Sequence, residues 1–280
     1  MKIRAILELV RVEHSLMLIL GVIVPILLLD LGFTAVQASL LFLCPFLISA
    51  GAFALNDYFD VESDRRNRKD RPIVRGDISK SGALWISVLL LALGMLAALP
   101  LGAYPLLIAV VFASLSVLYD WKLKDVALIG NMVIASSMAI VFIFTEMALA
   151  GTVSQLTMLI CATSFLSGLG REVQKTVQDL EGDVKARGSR TLPVLIGVNA
   201  SLAFSVLLIA AASIIALYMF LEVPPLKLNP YYLIPLAASV LGFAYASRMF
   251  YGDAVMRERG RKVSLYALLL GIFAYILGGI

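Results

Sequence analysis

One histidine and two cysteines stand in a chain of 280 residues. A single histidine, His14, excludes a multi-histidine metal centre. Cys44 and Cys161 both fall inside apolar segments, so neither zinc spacing nor a disulfide framework exists. Both read as small core side chains. Charge is scarce as well: 15% of residues are Asp, Glu, Lys or Arg, against roughly 25% in a soluble domain. Apolar residues take their place, at 61% of the chain and a mean hydropathy of +0.95. A soluble globular protein is excluded and an integral, polytopic membrane protein is expected. The first apolar run, Leu16 to Leu31, is followed by no small-residue cleavage site. It reads as a retained span rather than a signal peptide.

A helix needs about 20 apolar residues to cross the hydrocarbon, fewer at oblique ends. Nine spans are expected on that basis, at residues 14–31, 38–58, 83–100, 104–120, 125–146, 154–171, 194–221, 231–250 and 263–280. The expected fold is all-α: one domain over residues 1–280, with nine transmembrane helices around a central cavity and a cytoplasmic cap. Of 23 Lys and Arg residues, 22 fall on one side of these spans and only Lys227 lies opposite. The positive-inside rule makes the basic side cytoplasmic, with the N-terminus inside and the C-terminus outside the cell membrane. Two long loops, about 59–82 and 172–193, face that side.

Against this background two acid clusters are conspicuous, about 120 residues apart. The first runs Asn56-Asp57-Tyr58-Phe59-Asp60-Val61-Glu62-Ser63-Asp64; the second is Asp179-Leu180-Glu181-Gly182-Asp183, preceded by Glu172. Both fall where an apolar stretch ends on the basic side. Carboxylates beside a membrane span are costly and call for a partner. If the second span continues helically, Asp57, Asp60 and Asp64 form one stripe, as do Glu172, Asp179 and Asp183 on the sixth. Two such rows make a clamp for Mg²⁺, which prefers a few carboxylates plus phosphate oxygens and water. The expected metal residues are Asn56, Asp57, Asp60, Asp64, Asp179 and Asp183. Basic side chains flank them, and Arg68, Arg71, Arg75, Lys122 and Lys175 are candidates for binding diphosphate oxygens. Lys and Arg in such loops also serve simply to fix topology. Metal and arginine would stabilise a departing diphosphate, and an apolar pocket would shelter the allylic cation left behind. Tyr58, Phe59, Tyr119, Phe142 and Phe165 are candidate aromatic faces for it.

At these residues the chain resembles the UbiA superfamily of intramembrane prenyltransferases. Asn56-Asp57-x-x-Asp60-x-x-x-Asp64 fits the first family motif, and Arg71-Pro72 with Gly76 fits its continuation. Asp179-x-x-x-Asp183 fits the core of the second motif, and Tyr119-Asp120-Trp121-Lys122-Leu123-Lys124 fits an element after the fourth span. The second motif often carries a further Asp where this chain has Thr176, which leaves either one metal with fewer ligands on that side or Glu172 as a substitute. The resemblance implies Mg²⁺-dependent transfer of a prenyl group from a polyprenyl diphosphate to a lipid-like acceptor, among membrane lipids and without a nucleic-acid partner. Arg171-Glu172, Glu181-Gly182-Asp183 and Thr191-Leu192-Pro193 look most like the archaeal branch that makes the second ether bond of archaeal lipids on geranylgeranylglyceryl phosphate. The acceptor's phosphate would then need its own cation, for which Arg11, Lys122 and Lys124 are placed; Tyr119 and Glu172 complete the acceptor side.

Two alternatives stay open on sequence. An aromatic acceptor (hydroxybenzoate, naphthoate or homogentisate) would share the same donor half. A cation or phosphate transporter could also carry intramembrane acids, but its sites usually lie at the bilayer midplane on broken helices.

Overall fold

In a computed structural model, residues 3–66, 69–188 and 190–280 are described, without the side chains of 181–183 and 185–187. Eleven α-helices follow one another in this described chain: α1 (Ile3–Leu9), α2 (Val12–Leu28), α3 (Ala35–Arg66), α4 (Lys80–Ala98), α5 (Ala103–Trp121), α6 (Ile129–Ala150), α7 (Gln155–Arg187), α8 (Leu192–Ile196), α9 (Val198–Glu222), α10 (Pro230–Met249) and α11 (Ala254–Gly278). Among the described residues the only strand-like pairing is one parallel bridge between Val126 and Arg190.

Local chemistry sets the boundaries. Ser79, Ser154, Asn229 and Asp253 cap α4, α7, α10 and α11 by accepting from Gly82, Thr157, Tyr231 and Met256 N–H groups. Gly151 and Gly188 end α6 and α7 in the left-handed conformation. The expected seventh span is broken at Gly197, φ 84°, which separates short α8 from α9. α1 and α2 meet at an angle of 54° around Arg11, itself at φ 44°.

Among the described residues six helices are long and apolar enough to cross a membrane, and seven if α1 and α2 count as one bent span. α7 and α10, at the positions of the expected spans six and eight, fall outside that group. α7 is interrupted by Thr, Ser and Gly and then turns charged; α10 carries Pro, Tyr and Arg. Much of both expected long loops is helical instead. α3 runs 32 residues and α7 runs 33. At 1.5 Å per residue each is about 50 Å long, well beyond the ~30 Å of hydrocarbon. No Gly or Pro interrupts α3 between Gly51 and Arg66, so the acid motif is carried on a rigid helical extension rather than a loop.

The helices close a ring. α2, α3, α4, α5, α6, α7, α9, α10 and α11 each pack on the next, and α11 returns to α2. One end of the ring is plugged by a cluster from six helices that includes Val24, Phe142, Ile160, Met219, Tyr232 and Tyr275. The Tyr232 and Tyr275 rings stack at 5.6 Å, and the Tyr232 hydroxyl donates to the Ala216 carbonyl at 3.1 Å. The acid motifs sit at the other end.

Glycines allow the closest helix pairs. A Cβ on Gly94 would lie 3.1 Å from the Ile48 backbone N and 2.7 Å from its Cγ1, between α3 and α4. On Gly170 it would lie 2.9 Å from the Ser205 carbonyl, between α7 and α9. Such contacts leave no room for a side chain without a backbone shift, typically about 1–3 kcal/mol. Gly94→Val and Gly170→Val are each expected to lower the thermal midpoint in detergent by several degrees, followed by circular dichroism. Gly32→Ala, which meets nothing within 4 Å, should leave it unchanged.

Candidate active site

The extension of α3 presents its acids in a stripe, and each has found a cation. Arg11 donates from Nη2 to Asp57 Oδ1 at 2.8 Å, while its guanidinium lies 4.7 Å over the Phe53 ring. Lys69 Nζ is 3.0 Å from Asp64 Oδ1. Arg71 Nε stands between the two buried acids, 4.0 Å from Asp57 Oδ1 and 3.9 Å from Asp64 Oδ2. Between these two acids along α3, Lys124 Nζ donates to Asp60 Oδ1 at 2.6 Å and lies 3.6 Å from Asp120 Oδ1. Asn56 Nδ2 donates to Asp60 Oδ2 at 3.2 Å and to Asp120 Oδ1 at 2.7 Å. Asp120, on the last turn of α5, thus stitches α5 to α3. Sequence reasoning passed over it although an acid four residues before Lys124, at the end of an apolar helix, was a signal.

α7 forms the facing wall. Lys175 Nζ donates to both oxygens of buried Glu172 at 2.9 Å, and Arg171 Nη1 reaches Glu172 Oε1 at 3.4 Å. Thr176, where the family pattern often has an acid, donates to the Glu172 carbonyl at 2.9 Å and accepts from Asn131 Nδ2 at 2.8 Å. Its hydroxyl therefore fastens α7 to α6. Asp179 is exposed.

Between the walls lies a cavity of about 830 Å³. Arg11, Asn56, Asp60, Tyr119, Asp120, Lys124, Glu172, Lys175 and Asp179 line its polar end, and Phe112, Phe142, Phe144, Phe243 and Leu268 its apolar depth. Asp57 and Asp64 are buried behind the lining. Of the expected aromatics, Tyr119 and Phe142 border the cavity. Tyr58 instead faces Lys80 at 4.9 Å, and Tyr58, Phe59 and Phe165 do not border it. Lys122 is exposed outside it. Arg75 also lies outside, held by Asp70, Asp77 and Glu8; these carboxylates, Asp70 first, raise its pKa above the ordinary arginine value. Arg68 and the Asp183 side chain lie outside the described residues.

The donors suit a hard divalent cation. Asn56, Asp60 and Asp179 bring oxygen to the cavity, and Asp57 Oδ2 is buried without a hydrogen-bond partner among the described residues. No three acids among those residues form a closed metal cage. An open set suits Mg²⁺, which completes its shell with phosphate and water.

The profile of the UbiA prenyltransferase family matches residues 16–270. A digeranylgeranylglyceryl phosphate synthase of Archaeoglobus fulgidus is 36% identical over 282 residues, covering 99% of this chain and 95% of that one. One from Thermococcus kodakarensis is 39% identical over 204 residues, 70% of each chain. A solved structure of a digeranylgeranylglyceryl phosphate synthase in membranes superposes with a TM-score of 0.79 at 29% identity, covering 99% of this chain and 98% of that one. A UbiA homologue of Archaeoglobus fulgidus, bound to GPP and Mg²⁺, shares the fold with a TM-score of 0.74 at 21% identity, over 97% and 99% of the two chains.

The two groups of basic residues should separate in kinetics. Lys124→Met strips the ammonium from Asp60 and Asp120 inside the cavity and is expected to lower kcat about 100-fold or more. Arg75→Ala removes a clasp outside the cavity; it should lower the thermal midpoint and leave kcat within about threefold. A purified-enzyme assay with paired melting curves checks both, and a larger loss of kcat in Arg75→Ala than in Lys124→Met would reverse the assignment.

Proposed function

The chain belongs to the UbiA prenyltransferase family, and we infer that it transfers a geranylgeranyl group from geranylgeranyl diphosphate to geranylgeranylglyceryl phosphate in the membrane. One observation carries this function: a single cavity joins oxygen donors at its polar end (Asn56, Asp60, Asp179) to an apolar depth walled by Phe112, Phe142 and Phe144. Such a space fits a diphosphate head and an isoprenoid tail in one pose. The names of the relatives at 36 and 39% identity supply the acceptor.

In this mechanism Asn56, Asp57, Asp60, Asp64, Asp179 and Asp183 are the metal-side residues. When bound, Mg²⁺ supplies the positive charge that lets carboxylates and a diphosphate share one site. Lys69, Arg71 and Lys175 approach the diphosphate oxygens, with Arg68 on the same loop. Arg11 and Lys124 orient Asp57 and Asp60 through the contacts at 2.8 and 2.6 Å. The allylic C–O bond breaks with its electron pair leaving on the diphosphate. The acceptor hydroxyl oxygen then bonds to the allylic carbon and gives up its proton to an oxygen of the departed diphosphate. The apolar walls exclude water that would otherwise capture the cation.

The membrane arrangement we propose has nine spans, adding α7 and α10 to the seven, in one domain over residues 1–280. The ends of α3 and α7 and the loops after them cap the cavity on the cytoplasmic side. The support is the distribution of Lys and Arg, 22 of 23 on that side.

Two experiments test these assignments. Purified protein in lipid, given geranylgeranyl diphosphate and Mg²⁺ with geranylgeranylglyceryl phosphate, 4-hydroxybenzoate or a naphthoate, should prenylate only the glycerol acceptor. EDTA should abolish turnover, as should Asp60→Ala with its fold intact, a loss of several kcal/mol of transition-state stabilisation. Prenylated aromatics would move the enzyme to the aromatic branch, and turnover in EDTA would remove the metal. For topology, Ser81→Cys should react with impermeant thiol reagents only from inside and Thr152→Cys only from outside. The native Cys44 and Cys161 are buried and give little background.

A further inference from the structure

The two walls of the cavity differ in how completely their cations are paired. On the α3 side, Arg11, Lys69, Arg71 and Lys124 face Asp57, Asp60, Asp64 and Asp120, four cations for four carboxylates. On the α7 side, Lys175 takes both oxygens of Glu172. Arg171 retains one contact of 3.4 Å to the same carboxylate. Arg171 is 7% exposed, borders the cavity, and its Nε is buried without a hydrogen-bond partner among the described residues. A buried guanidinium left half-satisfied is costly unless an anion arrives to complete it. Arg261, from α11, also borders the cavity; its own carboxylate contact is to Glu258 at 3.8 Å on the half-exposed surface.

Arg171 is also set apart from the donor's charged end. Arg171, Lys175 and Asp179 follow at steps of four along one face of α7. Eight residues at 1.5 Å put Arg171 about 12 Å from Asp179 along the helix axis, towards the apolar depth. From Arg261 an apolar track leads the same way: Leu265, Leu268, Leu269 and Ile272, at helical spacing on α11, all border the cavity.

From this head-and-tail pattern we infer that Arg171 and Arg261 form a second anion subsite, separate from the diphosphate site, that takes the phosphate monoester of an amphiphile whose apolar tail lies along α11. That the anion is a phosphate monoester and the amphiphile the acceptor rests on the function proposed above; that the two guanidiniums take an anion does not. Arg11 also has a buried Nε without a partner among the described residues, but its Nη2 is held by Asp57 at 2.8 Å, and Lys124 is held by Asp60 and Asp120; the proposed subsite therefore anchors the acceptor in their place.

The test pairs kinetics with binding. Arg261→Gln and Arg171→Gln should each raise the KM for geranylgeranylglyceryl phosphate about 10- to 100-fold, with the KM for geranylgeranyl diphosphate unchanged. The corresponding phosphate-free glycerol ether should bind wild type and variants alike, and Arg171→Lys should recover part of the loss. Independently of turnover, geranylgeranylglyceryl phosphate should raise the thermal midpoint of the wild type in detergent and fail to do so in Arg261→Gln, an exposed position whose change leaves folding intact. A rise in the donor KM instead, or equal stabilisation of wild type and both variants, overturns the subsite. Stabilisation lost in the variants with no transfer to the glycerol acceptor in any protein would keep the subsite and overturn the proposed reaction.

Discussion

Asp57 is a carboxylate buried inside a membrane helix, and its pairing with Arg11 at 2.8 Å is the contact on which the rest of the site depends. An uncompensated charge at that depth would cost several kcal/mol. The pair removes that cost and fixes geometry at the same time. Arg11 sits at the 54° break between α1 and α2 with left-handed backbone, a conformation that a non-glycine residue keeps only when its surroundings hold it. The Asp57 contact and the Phe53 ring under the guanidinium are those surroundings. α2 is thereby tied to α3, and α2 in turn carries His14, Met17, Leu18 and Gly21 to the cavity wall. Electrostatic pairing at one end and the plug of Phe142, Tyr232 and Tyr275 at the other leave the space between them open.

The helical stripe of acids was legible in the sequence because it is local. The stripe Asp57, Asp60, Asp64 needs only helical spacing, and α3 provides it as far as Arg66. Lys124 and Glu172 could be named from their place at span ends. What depended on tertiary contact could not be read. Arg75 follows a family-like Arg71-Pro72 turn, yet three carboxylates from two segments hold it away from the cavity. Thr176 looked like a missing ligand and is a hydrogen-bonded fastener to Asn131. Asp120 was visible only as part of a motif, since its role needs Asn56, 64 residues earlier, to be adjacent. The helix ends were misjudged for a different reason. Hydropathy marks where the membrane stops, whereas α3 and α7 stop where a breaker or a cap appears, and for α7 that is Gly188.

This mismatch between membrane and helix has a consequence for reactivity. Asp60 and Asp179 open onto the polar end of the cavity with Asp57 and Asp64 buried behind them, while the reacting tail stays among side chains such as Phe112 and Phe144. A loop could carry the same residues but would have to be ordered at each turnover. A helix end holds them at fixed spacing, and pre-set geometry is worth more than an additional ligand when charge must be stabilised as it develops.

The difference between the walls then assigns their tasks. The α3 wall is balanced, with each carboxylate held by Lys or Arg, so a diphosphate alone would gain little there: every cation it recruits leaves a carboxylate exposed to it. Additional positive charge is required for it to bind, which is the physical reason for a divalent ion on that side. On the α7 wall Lys175 holds Glu172, and Arg171 keeps a buried Nε without a hydrogen-bond partner among the described residues, so a phosphate arriving there completes a shell rather than breaking one. In the proposed arrangement one cavity takes two anionic lipids and still distinguishes them, the first admitted by metal and the second by Arg171. The tails need no comparable discrimination, since both are isoprenoid and apolar walls separate such chains weakly. Selectivity rests at the heads: the proposed phosphate anchor Arg171 lies about 12 Å along α7 from Asp179 (eight residues at 1.5 Å each), and the reacting carbon and hydroxyl meet in the cavity they share.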